Sequence, residues 1–387
     1  MSTTATPQSS PYAPPAHVAL SRALETIPLG EAEAIQTITQ VCLDLLDTAS
    51  KPVLRQQHPY QHACVRATFE VLANIPDEMR VGVFAQPDTF DAIVRFSTAS
   101  RRDQRVNDSH GFAIKLFGVE GERFASDDAG NTTQDFILLD SPQFFIRNAI
   151  DYAAFAAVLR SAVLKTKRGA LKALPENARN LYIVAALFRR HFRHFPHEWS
   201  VLKGMRKPAL HPFRKGYWSS TPYRLGDGAA KYEVYPSTSH PWFGRLEGPL
   251  PKQTDPDWLN EIMRQWLDRG PARFDFFVQR QVSATEMPIE DPTVRWSRLV
   301  SPPVRVARVH IERQEFDTPA KLTAVESLSF SPGHSLAVHG PLGGINRTRL
   351  AVYRALADRR RELNGISSRE PDADWIDRVW EARAASD

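Results

Sequence analysis

The sequence predicts an α+β protein in which an antiparallel β-barrel core is surrounded by helices. Three observations carry this. Apolar residues recur with period two in several short stretches, as they do in strands that bury one face. Most of these stretches are joined by loops, so their strands pair antiparallel in a barrel or sandwich. Longer segments with apolar residues three and four apart interrupt them and read as amphipathic helices.

The first stretch, MSTTATPQSSPYAPPAH, is rich in Ser, Thr and Pro. It lacks the basic start and apolar run of a secretory signal, and residues 1–29 are expected to be a disordered tail. A helix is expected over about 30–48, where Ile35, Ile38, Cys42 and Leu45 form a stripe. From Cys64 the period becomes two: Val65, Ala67, Phe69 and Val71 alternate with Arg66, Thr68 and Glu70. Ala92, Val94 and Phe96 repeat the pattern. Further strands are expected at GFAIKLFGV from Gly111, QDFILL from Gln134, KYEVY from Lys231, RFDFFVQ from Arg273 and VRVARVHI from Val304. Helices are expected over about 150–165, 176–194, 256–270 and 346–363. The organisation is a main domain over 30–366, with a basic helical insertion at 160–215, and a C-terminal helical tail over 367–387.

Of the 387 residues, 42% are hydrophobic and 24% charged, an ordinary globular balance. No apolar run approaches the ~18 residues that span a bilayer. The two cysteines, Cys42 and Cys64, cannot make a disulfide framework; they read as buried thiols, and a cytoplasmic location is expected. A formal charge of +5 does not by itself indicate a nucleic-acid partner.

Chemistry is expected from two segments. In RLAVY, Arg349 and Tyr353 are four apart and share a helical face; Arg360, eleven residues after Arg349, returns to it. A guanidinium beside a tyrosine favours the phenolate, a hard anionic oxygen suited to ferric iron. In RQQH, Arg55 to His58, an imidazole can move a proton between peroxide oxygens, and an arginine can pair with a carboxylate through its planar fork.

Together these segments resemble catalases, and more closely the short catalase-related haem proteins. The proximal signature of that family, arginine, three residues, tyrosine and a further arginine seven residues on, is matched by Arg349, Tyr353 and Arg360. Its distal signature, R-x-x-H leading into a strand with F-E-V, is matched by Arg55, His58 and Phe69-Glu70-Val71. VRFS (Val94 to Ser97), HGFAIKLFGVEG, SPQFFIRNA and PLGGINRTR follow in the family's order. The resemblance covers about residues 50–365. It implies an eight-stranded antiparallel barrel and haem b bound between barrel and helices. Tyr353 would be the iron ligand and His58 the distal base, with Ser97 orienting it. Arg55, Arg95 and Arg360 would hold the haem propionates. Phe144 would line the distal pocket, and Tyr152 would replace a phenylalanine near the haem. The substrate implied is a peroxide, with an unidentified reductant.

The match departs in places. Catalases carry an asparagine beside the distal histidine, where this chain has Leu139; Asp140 would point to the opposite strand face. His110 replaces an arginine, and His62 is a rival for His58. These departures weigh against efficient hydrogen peroxide dismutation. They leave peroxidase chemistry open, or rearrangement of fatty acid hydroperoxides by an isomerase or dehydratase resembling allene oxide synthases. The insertion is rich in Lys and Arg with apolar residues interleaved, which suits a solvated face, a subunit contact or a peripheral membrane contact. His191, His194 and His197, spaced by three, are a weak metal motif. FRRHFRHF mixes basic and aromatic residues, so a non-enzymatic nucleic-acid-binding protein is the rival class.

Overall fold

Alternation along the chain becomes a single sheet that closes on itself. Its strands are β1 (Tyr60–Val71), β2 (Thr89–Thr98), β3 (His110–Leu116), β4 (Gln134–Leu139), β5 (Tyr217–Trp218), β6 (Tyr223–Leu225), β7 (Gly228–Pro236), β8 (Ala272–Arg280) and β9 (Val304–Ile311). The computed structural model describes residues 24–49, 51–125, 128, 130–238, 255–366 and 370–381. The strand order is β5-β4-β3-β2-β1-β9-β8-β7, and β5 pairs again with β7 to complete an eight-stranded antiparallel ring, with β6 added as a hairpin on β7. The two-residue β5 closes the barrel: Trp218 opposes Leu139 on one side and Glu233 on the other. Closure leaves the ring without exposed edges.

The inward face of each strand fills the barrel. Val65, Ala67, Phe69 and Val71 are all buried, as the period-two pattern requires. Phe69 stacks on Phe136 at 5.9 Å and meets Phe276 edge-on at 5.2 Å. Each such aromatic contributes roughly 1.5–3 kcal/mol by burial alone.

Outside the barrel, helix α1 (Glu31–Leu46) packs with α2 (Ala149–Thr166) and, further along the chain, α8 (Gly344–Asn364) through Ile38, Val41, Cys42, Ala156, Val352 and Leu356. The remaining helices are α3 (Gly169–Lys172), α4 (Glu176–Leu187), α5 (Pro196–Met205), α6 (Trp258–Arg269), α7 (Pro319–Ser327) and α9 (Trp375–Trp380). Both cysteines are buried and free, and no helix among the described residues is long and apolar enough to cross a membrane.

Several expectations change. The helix expected to reach residue 194 leaves α-geometry after Leu187, where Phe188–Phe192 form a π-helical turn; Pro196 then starts α5 as its first-turn residue. Helix α7 escaped notice because only Val325 of it is buried, so it carries no apolar stripe. Within the range expected for the tail, Thr26 donates its backbone N–H to Glu290 (3.0 Å), and Glu25 accepts from the Gly343 N–H (2.6 Å). The rest of that tail, 1–23, lies outside the described residues, as do 367–369 and 382–387 of the C-terminal one. The three spaced histidines do not converge. His191 is buried against Glu198 (3.1 Å), His197 contacts the Thr293 carbonyl, and His194 is exposed.

Candidate active site

Strand register builds one wall of the site. Ser97, Gly111 and Leu139 are cross-strand neighbours on β2, β3 and β4, and Arg95, Ala113 and Ile137 form the next row. Their neighbours in sequence, Phe96, Phe112 and Leu138, belong to the barrel core. Period two thus turns these two rows outward, towards α8. A cavity lies against them, lined on its other side by Arg349, Tyr353, Leu356, Ala357 and Arg360 of α8.

His58 enters this cavity from the turn before β1. Its backbone is left-handed (φ 53°), an uncommon state for a residue other than glycine, though histidine is among those enriched in it. Arg95 donates to its carbonyl oxygen (2.8 Å), and Ser97 Oγ lies 3.4 Å from its Nδ1. Gly111 makes room for the ring: a Cβ there would sit 2.7 Å from Ser97 Oγ and 2.9 Å from His58 Nδ1. Burial, reinforced by the Arg95 charge, lowers the His58 pKa to about 4. The imidazole is therefore neutral at physiological pH and able to accept a proton.

Helical spacing sets the opposite wall. The Arg349 guanidinium carbon stands 5.4 Å from the Tyr353 ring centroid. Arg349 donates to Thr221 Oγ1 (3.0 Å), Asn346 Oδ1 (2.9 Å) and the Tyr223 hydroxyl (3.3 Å). Burial opposes its charge, but Tyr223 and Tyr353 beside it raise its pKa above the ordinary arginine range.

At one edge of the cavity three guanidinium groups meet. Arg55 and Arg360 share one carboxylate, Glu326, at 2.8 and 2.9 Å. Arg95 bonds the neutral Gln61 Oε1 (3.1 Å) and the His58 carbonyl. Burial and the charge of Arg55 push Arg95 down to about 9 and Arg360 down to about 10. Arg55 Nε is buried without a partner among the described residues. One carboxylate against three cations leaves positive charge for an anionic ligand.

Of the residues singled out in sequence, Arg55, His58, Arg95, Ser97, Phe144, Arg349, Tyr353 and Arg360 line this cavity. Tyr152 does not; it stands behind the wall, its ring centroid 6.1 Å from that of Phe144, and burial raises its hydroxyl pKa above the ordinary range. His62 is likewise outside the lining, fully buried, with neither ring nitrogen partnered among the described residues. His110, in place of an arginine, bonds Asp140 (2.8 Å), which also takes Lys215 (3.3 Å), so Asp140 is directed away from the cavity. Sequence reasoning missed Gly111, Glu326 and Tyr223. Gly111 stood inside a quoted motif, but only the cross-strand contact shows why it lacks a side chain. Glu326 and Tyr223 lie on α7 and β6, which had no pattern to reveal them.

No family model matches the chain, and no curated protein matches it. Solved structures do. A fungal catalase superposes with a TM-score of 0.60 at 17% identity, covering 82% of this chain and 61% of that one. A bacterial catalase gives 0.57 at 15% identity, covering 98% and 67%. Catalase A from Saccharomyces cerevisiae gives 0.56 at 17%, covering 82% and 62%. This chain therefore spans between 61% and 67% of the length of those proteins. At such identity the likeness concerns the fold, and the fold of this chain is a catalase-like closed eight-stranded antiparallel barrel with helices around it.

Proposed function

We propose that residues 30–366 form a haem b domain that metabolises peroxides, an oxidoreductase of peroxidase or weak catalase type. The observation that carries this is the convergence on one cavity of a tyrosine beside a buried arginine, a neutral histidine on the facing wall, and three guanidinium groups at the edge. The residues fit the group. Tyr353 offers an oxygen ligand to ferric iron. Arg55, Arg95 and Arg360 have one carboxylate among them and suit two propionates. Ala113, Ile137, Leu139, Phe330 and Leu356 supply apolar lining for a macrocycle.

Bound there, haem would supply the redox chemistry of O–O cleavage. The protein's part is proton handling and positioning. His58, neutral and held at Nδ1 by Ser97, accepts a proton from the peroxide at Nε2 and returns it to the departing oxygen. Arg349 holds a positive charge against Tyr353, the sign that an anionic oxygen ligand requires.

Leu139 favours a second reading. It lies beside Gly111 in the same row as Ser97 and lines the same cavity as His58. An apolar side chain there gives hydrogen peroxide no second hydrogen-bonding partner and suits an alkyl group. This supports organic hydroperoxides as substrates, including rearrangement of a fatty acid hydroperoxide by an isomerase or dehydratase. The experiment is an absorption spectrum of haem-loaded protein, followed by hydrogen peroxide and a fatty acid hydroperoxide in separate assays with product analysis. Faster consumption of hydrogen peroxide supports the first reading. An allene oxide or its hydrolysis products support the second. Protein that takes up no haem overturns both.

A further inference from the structure

The insertion between α2 and β5 carries a surface that the cavity does not explain. One side of α4 is packed inward: Leu187 and the partly buried Ile183 join Phe155, Phe192 and Ile146 in an apolar cluster. The other side faces solvent. Leu181 is 70% exposed, Ala185 is exposed, and Phe188, in the π-helical turn that continues α4, is 43% exposed and meets the Trp199 ring edge-on at 5.4 Å. Positions 181, 185 and 188 are four and three apart, so they make one stripe along the helix. Leu174, in the turn just before α4, is exposed as well.

Basic residues flank this stripe at both ends. Lys165, Arg168 and Lys172 precede α4, while Arg189, Arg190 and Arg193 follow it, and all six are exposed. Residues 160–215 contain fourteen Lys and Arg against two acidic residues, Glu176 and Glu198. Glu198 is buried against His191 and does not offset the surface charge.

We propose that this face docks on the surface of an anionic phospholipid bilayer, with Leu181, Ala185 and Phe188 in the interfacial layer and the flanking arginines and lysines on the lipid phosphates. An exposed apolar stripe bordered by cations is the pattern that interfacial helices present. Charge complementarity selects this occupant. A second copy of the chain would set one basic face against another. A nucleic acid would neutralise the cations but leave Leu181 and Phe188 in water. The inference stands independently of the peroxide reading, since it needs no cofactor. The two meet at one point: Phe144, which lines the cavity, also packs on the cluster beneath α4.

The test is co-sedimentation of the full chain with vesicles of phosphatidylcholine alone and of phosphatidylcholine mixed with phosphatidylglycerol. Binding is expected to the anionic vesicles and not to the neutral ones, and to weaken as salt rises. The double variant Leu181→Asp/Phe188→Asp is expected to bind at least about tenfold more weakly. Leu181→Asp alone should keep the melting temperature of the unaltered protein, because that side chain faces solvent, whereas Phe188→Asp also gives up the edge contact with Trp199. A Leu181→Trp variant gives a second readout, with fluorescence expected to shift to the blue on adding anionic vesicles. Three results overturn the proposal: no binding to anionic vesicles, binding unaffected by the double variant, or a Leu181→Trp fluorescence signal that moves only on self-association or on adding DNA.

Discussion

Ser97 Oγ lies 3.4 Å from Nδ1 of His58, and the ring sits where a side chain at Gly111 would otherwise be. Gly111→Ala should therefore displace His58 while leaving the barrel intact, at a stability cost of about 1–3 kcal/mol for overpacking. Peroxide turnover should fall well beyond what that destabilisation explains, with haem binding kept. Ser97→Ala removes one hydrogen-bonding partner, worth about 0.5–1.5 kcal/mol, so its turnover should fall up to roughly tenfold. Steady-state kinetics on haem-loaded variants check both.

His58 should shape the pH dependence. Burial and Arg95 hold its pKa at about 4 against an ordinary 6.5. The neutral, proton-accepting form therefore persists from neutral pH down to about 4. In rapid pH-jump assays kcat/KM should stay level through pH 5 and decline only near 4. A decline centred near 6.5 would mean that His58 is solvated or is not the base. The same depressed value has a stability consequence: this histidine's contribution is present above pH 6.5 and is lost as pH falls through about 4.

Glu326 is the shared counter-ion of Arg55 and Arg360. Glu326→Gln should destabilise the haem-free protein by about 1–3 kcal/mol, between the values for exposed and buried pairs. The haem-loaded protein should lose less, because propionates supply anionic partners to the same guanidinium groups. Thermal melting with and without haem measures the difference, and equal losses would remove the arginine cluster from propionate binding.

Lys115 anchors a second buried network. Its Nζ lies 2.8 Å from Asp135 Oδ1 and 2.5 Å from Glu370 Oε1, and His334 Nδ1 contacts both acids at 3.0 and 2.9 Å. Burial and Lys115 oppose a charge on His334, but Glu370 and Asp135 outweigh them and raise its pKa to about 9. Its contribution to stability is then fully present below about 6.5 and lost as pH rises through 9. The melting temperature should drop between pH 7 and 10, and His334→Gln should flatten that drop. Lys115→Met leaves two buried carboxylates with one fewer cation and should cost about 3–5 kcal/mol.

Much of this architecture was legible because burial imposes a period. Strand β1 alternates from Val65 to Val71 because one face fills the barrel, and Arg349, Tyr353 and Arg360 share a face because α8 is regular. What escaped lacks a period. Strand β5 has two residues, yet it closes the ring. Helix α7 buries almost nothing, yet it delivers Glu326 to the arginines. The reason for Gly111 appears only once β3 is set beside β2 and His58 lies over it. His58 and His62, four residues apart, were separable only when the fold placed one in the cavity wall and the other behind it.

The central claim is that Tyr353 is the iron ligand of a haem protein. Its most direct measurement is the absorption spectrum of unaltered protein and Tyr353→Phe, each purified and titrated with haem. The account predicts a Soret band with ferric phenolate features in the first, and weak haem retention or an altered spectrum in the second. A Tyr353→Phe protein with full haem and an unchanged spectrum would contradict it.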